Sequence, residues 1–268
     1  MDSKINAFTL IELAIVIVII GLIIGGVMVG NDMVRSSQLR ATLSQIEKYN
    51  AAVNTFRGKY NGIPGDLKYS EAKGFGLYSI TYAGYMGYPG YGDGDGIIRS
   101  ANGSATPSTV TNLYGEPLIF WRHLSDAQLI NGKYGTALNS AAEAVGISGL
   151  DAMNTFLPAA KLLSSTIAAG SPRDGKNYFL LAKVLSTLGV GAFGPSENPL
   201  TAYEAFNMDS KIDDGLPGSG TIFAIDATIG LNSPTTWRTL SAVAGCVASS
   251  AYALAQTTQS CSLRFSFQ

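Results

Sequence analysis

The feature that most constrains the fold is the apolar run from residue 8 to residue 30, FTLIELAIVIVIIGLIIGGVMVG, in which Glu12 is the only charged side chain. At ~1.5 Å rise per residue, a helix of this length spans roughly 35 Å, enough for the ~30 Å hydrocarbon core of a bilayer. A carboxylate inside such a segment costs on the order of 2.5–3.5 kcal/mol on insertion scales. The run therefore predicts a membrane-spanning helix in which Glu12 has a specific role.

A secretory signal, or a plain anchor that tolerates one acid, is the simpler interpretation of this run. A signal peptide has an apolar core of about 7–15 residues followed by a small-residue cleavage site. Here the run is longer, and no Ala-x-Ala-like site follows it. The small residue in a plausible processing position is Ala7, which precedes the run. Cleavage between Ala7 and Phe8 would remove a polar leader, residues 1–7 with Lys4, and leave the helix on the mature protein.

A short basic leader, F-T-L-I-E at residues 8–12 and an unbroken apolar helix together resemble the type IV prepilin family, which comprises type IV pilins and the pseudopilins of type II secretion. The resemblance implies that a membrane peptidase cleaves before Phe8 and methylates the new amine. It also implies that Glu12 pairs with the N-terminal ammonium of a neighbouring subunit. One departure is Ala7, where the family usually has Gly.

Small residues recur at four-residue spacing within the run, as Gly21 with Gly25 and Gly26 with Gly30. This spacing lets helix backbones approach closely in a membrane or in the core of a filament. The alternative is that Gly is simply common in membrane helices. We assign an assembly surface to Thr9, Glu12, Gly21 and Gly25.

Beyond residue 30 the polarity changes, but apolar residues keep a helical spacing of three or four positions. This apolar face consists of Leu39, Leu43, Ile46, Tyr49, Val53, Phe56 and Tyr60. Both halves therefore predict one helix over residues 9–57, ~75 Å long. Gly58, Gly62 and Pro64 should end it.

The remaining chain predicts a globular head in an α+β fold, with an antiparallel sheet packed on the second half of the helix, as in a pilin-like lollipop. The predicted helices cover residues 121–130, 140–150 and 151–163, and the predicted strands cover 178–184, 221–227 and 263–267. The predicted divisions are a leader (1–7), a hydrophobic half-helix (8–30), an amphipathic half-helix (31–57) and the head (58–268). A Gly-rich stretch with Tyr82, Tyr85, Tyr88 and Tyr91 is expected to be a loop, either packed on the head or exposed as an aromatic contact surface.

Charge and cysteine content narrow the class of protein further. A net charge of −1 and a pI near 5.8 give no reason to expect nucleic acid as a partner. The two cysteines, Cys246 and Cys261, predict a disulfide in a chain with an export segment, with two free thiols as the alternative. The loop closed by such a disulfide would add ~3 kcal/mol to the free energy of unfolding by the chain-entropy estimate.

Catalytic motifs are missing from the sequence. His123 is the only histidine, and no G-x-S-x-G elbow, C-x-x-C pair or G-x-x-x-x-G-K-[ST] loop occurs. A lone histidine beside a tryptophan is more typical of packing than of catalysis. We therefore expect a protein that is not an enzyme and does not itself hydrolyse ATP.

Calcium is the one cofactor that the sequence leaves open, because a hard cation takes several oxygen ligands on a Gly-containing loop. Asp209, Asp213 and Asp214 form one candidate set, and Asp93 and Asp95 form a second, weaker one. The alternative for each is a solvated acidic turn. The family resemblance favours the first set, since the major pseudopilins bind calcium in a late head loop.

The expected function is a structural subunit of a type IV pilus-like filament, a helical homopolymer built on the N-terminal helix. The resemblance implies three further partners: prepilin peptidase, an inner-membrane assembly platform with a separate ATPase, and the inner membrane itself before assembly. The expected final location is a periplasmic or cell-surface filament. The alternatives are a secretion pseudopilin or minor pilin and, from another class, a membrane-anchored exported binding protein or enzyme.

Overall fold

A computed structural model describes residues 9–79, 83–84, 88–89, 92–98, 116–135, 153–171, 175–184, 196–225 and 245–267. Several predicted features lie outside these residues: the processing residues Ala7 and Phe8, the helix at 140–150, and Tyr82, Tyr85 and Tyr91.

Four helices and nine strands are described. In chain order they are α1 (Leu10–Tyr60), α2 (Tyr69–Gly74), β1 (Ala83–Gly84), β2 (Tyr88–Pro89), α3 (Glu116–Asp126), β3 (Thr166–Gly170), β4 (Asn177–Val184), β5 (Ser196–Glu197), α4 (Ala202–Ile212), β6 (Ile222–Ile225), β7 (Val247–Ala248), β8 (Ala251–Tyr252) and β9 (Ser262–Phe267).

The predicted long helix is confirmed as α1, a single helix of 51 residues. Thr9 caps its first turn, as its spacing before Glu12 allows. At the other end α1 continues through Gly58 and stops where Asn61 adopts a left-handed conformation (φ 53°) and donates its N–H to the carbonyl of Arg57. The helix therefore ends three residues later than predicted, because Gly58 alone does not end it.

The head is built on a five-stranded sheet in the order β3-β4-β9-β6, with β5 paired to β4, and every pairing is antiparallel. One face of the second half of α1 packs onto the head and buries Thr42, Leu43, Ile46, Ala52, Val53, Phe56 and Tyr60. Aromatic rings fill the space between them: Tyr49 of α1 lies 5.0 Å from Trp121 of α3, and Phe179 of β4 lies 4.2 Å from Phe267 of β9. The predicted α+β lollipop, a long helix packed on a head with an antiparallel sheet, is confirmed.

The predicted helix at 151–163 is wrong over most of the part that the structure describes, since residues 154–163 run as turns and an isolated bridge. The backbone of this segment instead bonds to side chains of α1. The N–H of Lys161 donates to Gln45 Oε1 (3.0 Å), and the N–H of Leu162 donates to Thr42 Oγ1 (2.8 Å). These bonds tie the segment to the long helix, so its Ala content does not decide its structure.

The predicted helix at 121–130 exists as α3 but begins five residues earlier and ends four residues earlier. It stops because Gln128 takes a positive φ of 58° and the N–H of Leu129 returns to the carbonyl of Leu124 (3.0 Å). The predicted disulfide is confirmed, with 5.1 Å between the Cα atoms of Cys246 and Cys261. It closes the loop that carries the β7-β8 hairpin.

Candidate functional site: an exposed helix and two acidic clusters

The first half of α1 is not covered by any of the described residues. Its large apolar side chains from Leu10 to Val34 are all exposed, for example Leu22 at 77% and Val18 at 71%. Among the described residues, α1 is the one helix long and apolar enough to cross a membrane. Exposed apolar area of this extent is typical of a surface that lipid or another protein covers. We call residues 10–34 of α1 the shaft.

Glu12 is bonded within its own chain. Its Oε2 accepts the backbone N–H of Thr9 (2.8 Å) and the Thr9 hydroxyl (2.8 Å), while the N–H of Glu12 donates to Thr9 Oγ1 (3.3 Å). This reciprocal capping box offsets part of the cost of a carboxylate in an apolar segment. Both bonds to the carboxylate use Oε2, and Oε1 takes no donor from the described residues. Glu12 can therefore accept a second donor without giving up the cap.

The shaft glycines face open space. A Cβ built on Gly21, Gly25, Gly26 or Gly30 would meet no atom of the described residues within 4 Å. No described residue packs against these four positions, so their backbones are open to approach by another helix.

The structure brings Asp209, Asp213 and Asp214 together, with one carboxylate oxygen of each lying within 4.8 Å of the others. Asp209, at the end of α4, accepts the hydroxyl of Tyr252 (2.7 Å) and the N–H of Gly215 (3.2 Å). Burial raises the pKa of Asp209 to about 6.

The other two acids of this cluster shape the turn after α4. Asp213 Oδ2 accepts the N–H groups of Thr221 and Ile222, and it occupies the space where a Cβ on Gly220 (φ 74°) would stand. Asp214 accepts the N–H of Leu216 (2.9 Å) and the hydroxyl of Ser219 (2.5 Å). By accepting these hydrogen bonds, Asp213 and Asp214 stabilise the turn. Their carboxylate oxygens are also the type of ligand that Ca²⁺ prefers.

The second predicted pair, Asp93 and Asp95, is divided. Asp93 lies with Asp66 and Glu116 in a group whose ligand atoms are within 4.8 Å of one another, and Asp95 is not part of that group. Asp66 Oδ1 and Oδ2 accept the N–H groups of Gly94 (2.8 Å) and Gly96 (2.7 Å). Burial raises the pKa of Asp66 to about 6. Asp66 and Glu116 were not predicted from the sequence, because only acids that lie close together in the sequence could be recognised as a candidate site.

His123 is a packing residue. It is 1% exposed, its Nδ1 accepts the N–H of Gly65 (3.0 Å), and its Nε2 lies 2.8 Å from the carbonyl of Tyr78. These partners require the neutral tautomer with the proton on Nε2. Burial lowers the pKa of His123 to about 4. The ring also stacks on Phe56 of α1 at 6.0 Å, so it joins the long helix to two head segments.

A capped helix whose apolar run contains one acid, packed by its second half on an α+β head, gives the protein the shape of a pilin. In comparison with known proteins, the family model described as the prokaryotic N-terminal methylation motif matches residues 2–28. This motif is the signature of type IV pilins and pseudopilins, so the chain carries the features of a pilin-like or pseudopilin precursor. No curated protein and no solved structure matches the chain.

Proposed function

We propose that the chain is a structural subunit of a type IV pilus-like filament, which prepilin peptidase processes before Phe8 and which polymerises through α1. The observation that supports this proposal is the exposed apolar shaft, most of which falls within the matched methylation motif at residues 2–28. In the membrane, lipid covers the shaft, and in the filament the shafts of neighbouring copies cover it. An assembly platform with its own ATPase would supply the work of extraction from lipid.

Glu12 gives the assembly its register. The new ammonium at Phe8 and the carboxylate of Glu12 are both costly in an apolar core, and pairing between copies offsets part of that cost. The Glu12 Oε1 that the cap leaves without a donor is available for this pair. Any axial shift would leave both charges without a partner.

The proposal is tested by two measurements on sheared surface material from cells that express the chain. Electron microscopy should show filaments, and intact-mass spectrometry should find the chain lacking residues 1–7 and carrying one added methyl group. A chain that keeps its initiator methionine and stays dispersed would instead favour a membrane-anchored binding protein or enzyme. Filaments that appear only when a secretion system is present would identify a pseudopilin.

We also propose that Ca²⁺ binds at Asp209, Asp213 and Asp214, where it would hold the end of α4 to the turn before β6. The cluster of three carboxylates in one turn supports this proposal. It is independent of the assembly proposal, because it concerns the head alone.

A further inference from the structure

A basic cavity lies between α1 and α4, just beyond the shaft. It has a volume of about 230 Å³, and its lining includes Ser36 and Arg40 from α1 with Asn207 and Lys211 from α4. Arg40 and Lys211 are both exposed, and neither has an ion pair or a side-chain hydrogen bond with any residue in the described part of the chain. Two cations without anions, one on each wall of a small cavity, favour an anionic group as the occupant.

The position of Lys211 is fixed although its side chain is exposed. Arg35 of α1 bonds to Glu204 in the first turn of α4 (2.6 and 3.0 Å) and to the carbonyl of Pro199, just before α4 (2.6 Å). The acids that follow Lys211 in sequence accept backbone N–H groups of the next turn. The cavity is thus preorganised by bonds that leave Arg40 and Lys211 free to bind.

An acid of matching chemistry stands at the end of the shaft. Asp32 is exposed, is the first charged residue after Glu12, and forms no ion pair within the described ranges. The nearest cation along the helix, Arg35, is already held by Glu204. Each copy therefore carries an acid without a cation and, eight residues further along the same helix, a basic cavity without an acid.

We propose that Asp32 of one copy enters the cavity between Arg40 and Lys211 of the next copy and forms a second contact between subunits. This inference rests on the proposed filament. Because the acid and the cavity are different surfaces, the contact is heterologous and extends from copy to copy without closing. Lys211 belongs to the head, so the contact also fixes how each head faces the neighbouring shaft.

The axial offsets agree in direction. A pair between Asp32 and Arg40 raises the copy that supplies Asp32 by eight residues, or ~12 Å at the helical rise. A pair between Glu12 and the amine of Phe8 raises the copy that supplies Phe8 by four residues, or ~6 Å. The same upper copy therefore supplies Asp32 and the amine, and the long stems of Arg40 and Lys211 take up the difference.

Charge reversal in the full chain tests the contact. We expect Asp32→Lys and Arg40→Glu each to lower the yield of filaments about fivefold, the size of an ion pair worth ~1 kcal/mol. The double variant should restore part of the yield, because Lys211 still faces the new lysine, and adding Lys211→Glu should restore most of it. Glu47→Lys, also on α1, and Lys133→Glu, on the head, change exposed charges by the same amount elsewhere and should leave the yield unchanged. Equal yields for all variants, with wild-type filaments present, would overturn the contact and leave the proposed function intact. Absence of wild-type filaments would overturn both.

Crosslinking tests the geometry. The native cysteines are bonded to each other, so added thiols react alone. In filaments, a short bis-maleimide should convert the double variant Asp32→Cys, Lys211→Cys into a ladder of covalent multimers, because each copy supplies one thiol to each of two neighbours. Each single variant should stay monomeric on denaturing gels. Dimers from a single variant, or no ladder from the double variant, would overturn the heterologous contact. Loss of membrane retention on Arg40→Gln with unchanged filaments would also overturn it and point to a lipid headgroup as the occupant.

Discussion

The two halves of α1 have the same secondary structure and opposite environments. In the shaft, the large apolar side chains lie in the open, whereas Val53 and Phe56 in the second half are 0% exposed. The second half is satisfied by its own head. The shaft is exposed in the described structure, and in the proposed function lipid or other copies cover it.

The largest expected effect comes from a substitution in the shaft that should leave the head unchanged. Glu12→Leu should lower filament yield by more than about a hundredfold, because the ammonium of a neighbouring copy loses its partner at a cost of ~3–5 kcal/mol. Membrane insertion and the melting temperature of the head should not change. Electron microscopy and fractionation measure the two outcomes, with Glu47→Leu as the matched glutamate on the same helix. Normal filaments from Glu12→Leu would contradict the register role.

A pair of truncations compares the two halves directly. Phe56→Ala should destabilise the head by ~3–5 kcal/mol, because a fully buried ring leaves a cavity. Val18→Ala removes an exposed side chain and should change the stability of the detergent-solubilised monomer by less than about 0.5 kcal/mol. Denaturant unfolding followed by tryptophan fluorescence measures both, since Trp121 packs in the same core. Equal effects would mean that the shaft folds against the head.

Acid should weaken the second half through His123. Its pKa in the folded head is about 4, below the ordinary value of about 6.5, so the unfolded chain binds the proton more readily. The contribution of neutral His123 to the free energy of unfolding is therefore complete above pH 6.5. It is lost as the pH falls towards 4, at up to about 1.4 kcal/mol per pH unit.

The pH test compares wild type with His123→Phe, which keeps an aromatic ring beside Phe56 and cannot titrate. Asp66 and Asp209 have pKa values raised to about 6, so their protonation increases the free energy of unfolding as the pH falls, equally in both proteins. The difference between the two pH profiles therefore isolates His123. Parallel profiles between pH 6.5 and 4 would exclude it as the titrating group.

The smallest expected effect is that of calcium on the head. Millimolar Ca²⁺ at a site with a dissociation constant near 0.1 mM would stabilise by ~1.4 kcal/mol, a rise of about 3–6 °C in melting temperature. The shift should be smaller at pH 5, where Asp209 is largely protonated. Asp214→Asn should abolish the shift and Asp93→Asn should keep it, whereas the reverse result would place the ion in the other cluster.

Local sequence signals predicted α1, the strands β4, β6 and β9 and the disulfide, because each depends on spacing or composition within a short stretch. The strand β3 escaped prediction because its Ala-Ala-Gly end is a poor strand former, and pairing with β4 holds it in place. The helix α4 was missed although Thr201 and Glu204 form a readable capping box.

The acidic clusters show where sequence reasoning stops. Asp209, Asp213 and Asp214 share one turn, so their proximity was predictable. Asp66, Asp93 and Glu116 come from three segments that only the folded head brings together. The basic cavity of Arg40 and Lys211 depends in the same way on the docking of α4 against α1.

The continuity of α1 has a mechanical consequence. In the proposed filament, a pull on the head would pass down one unbroken column of backbone hydrogen bonds into the filament axis, because α1 has no proline to act as a hinge. Under tension, the weakest turns should be those around Gly21, Gly25, Gly26 and Gly30, where each glycine costs the helix about 1 kcal/mol relative to alanine. The filament would therefore stretch first in its core, while the heads keep their shape.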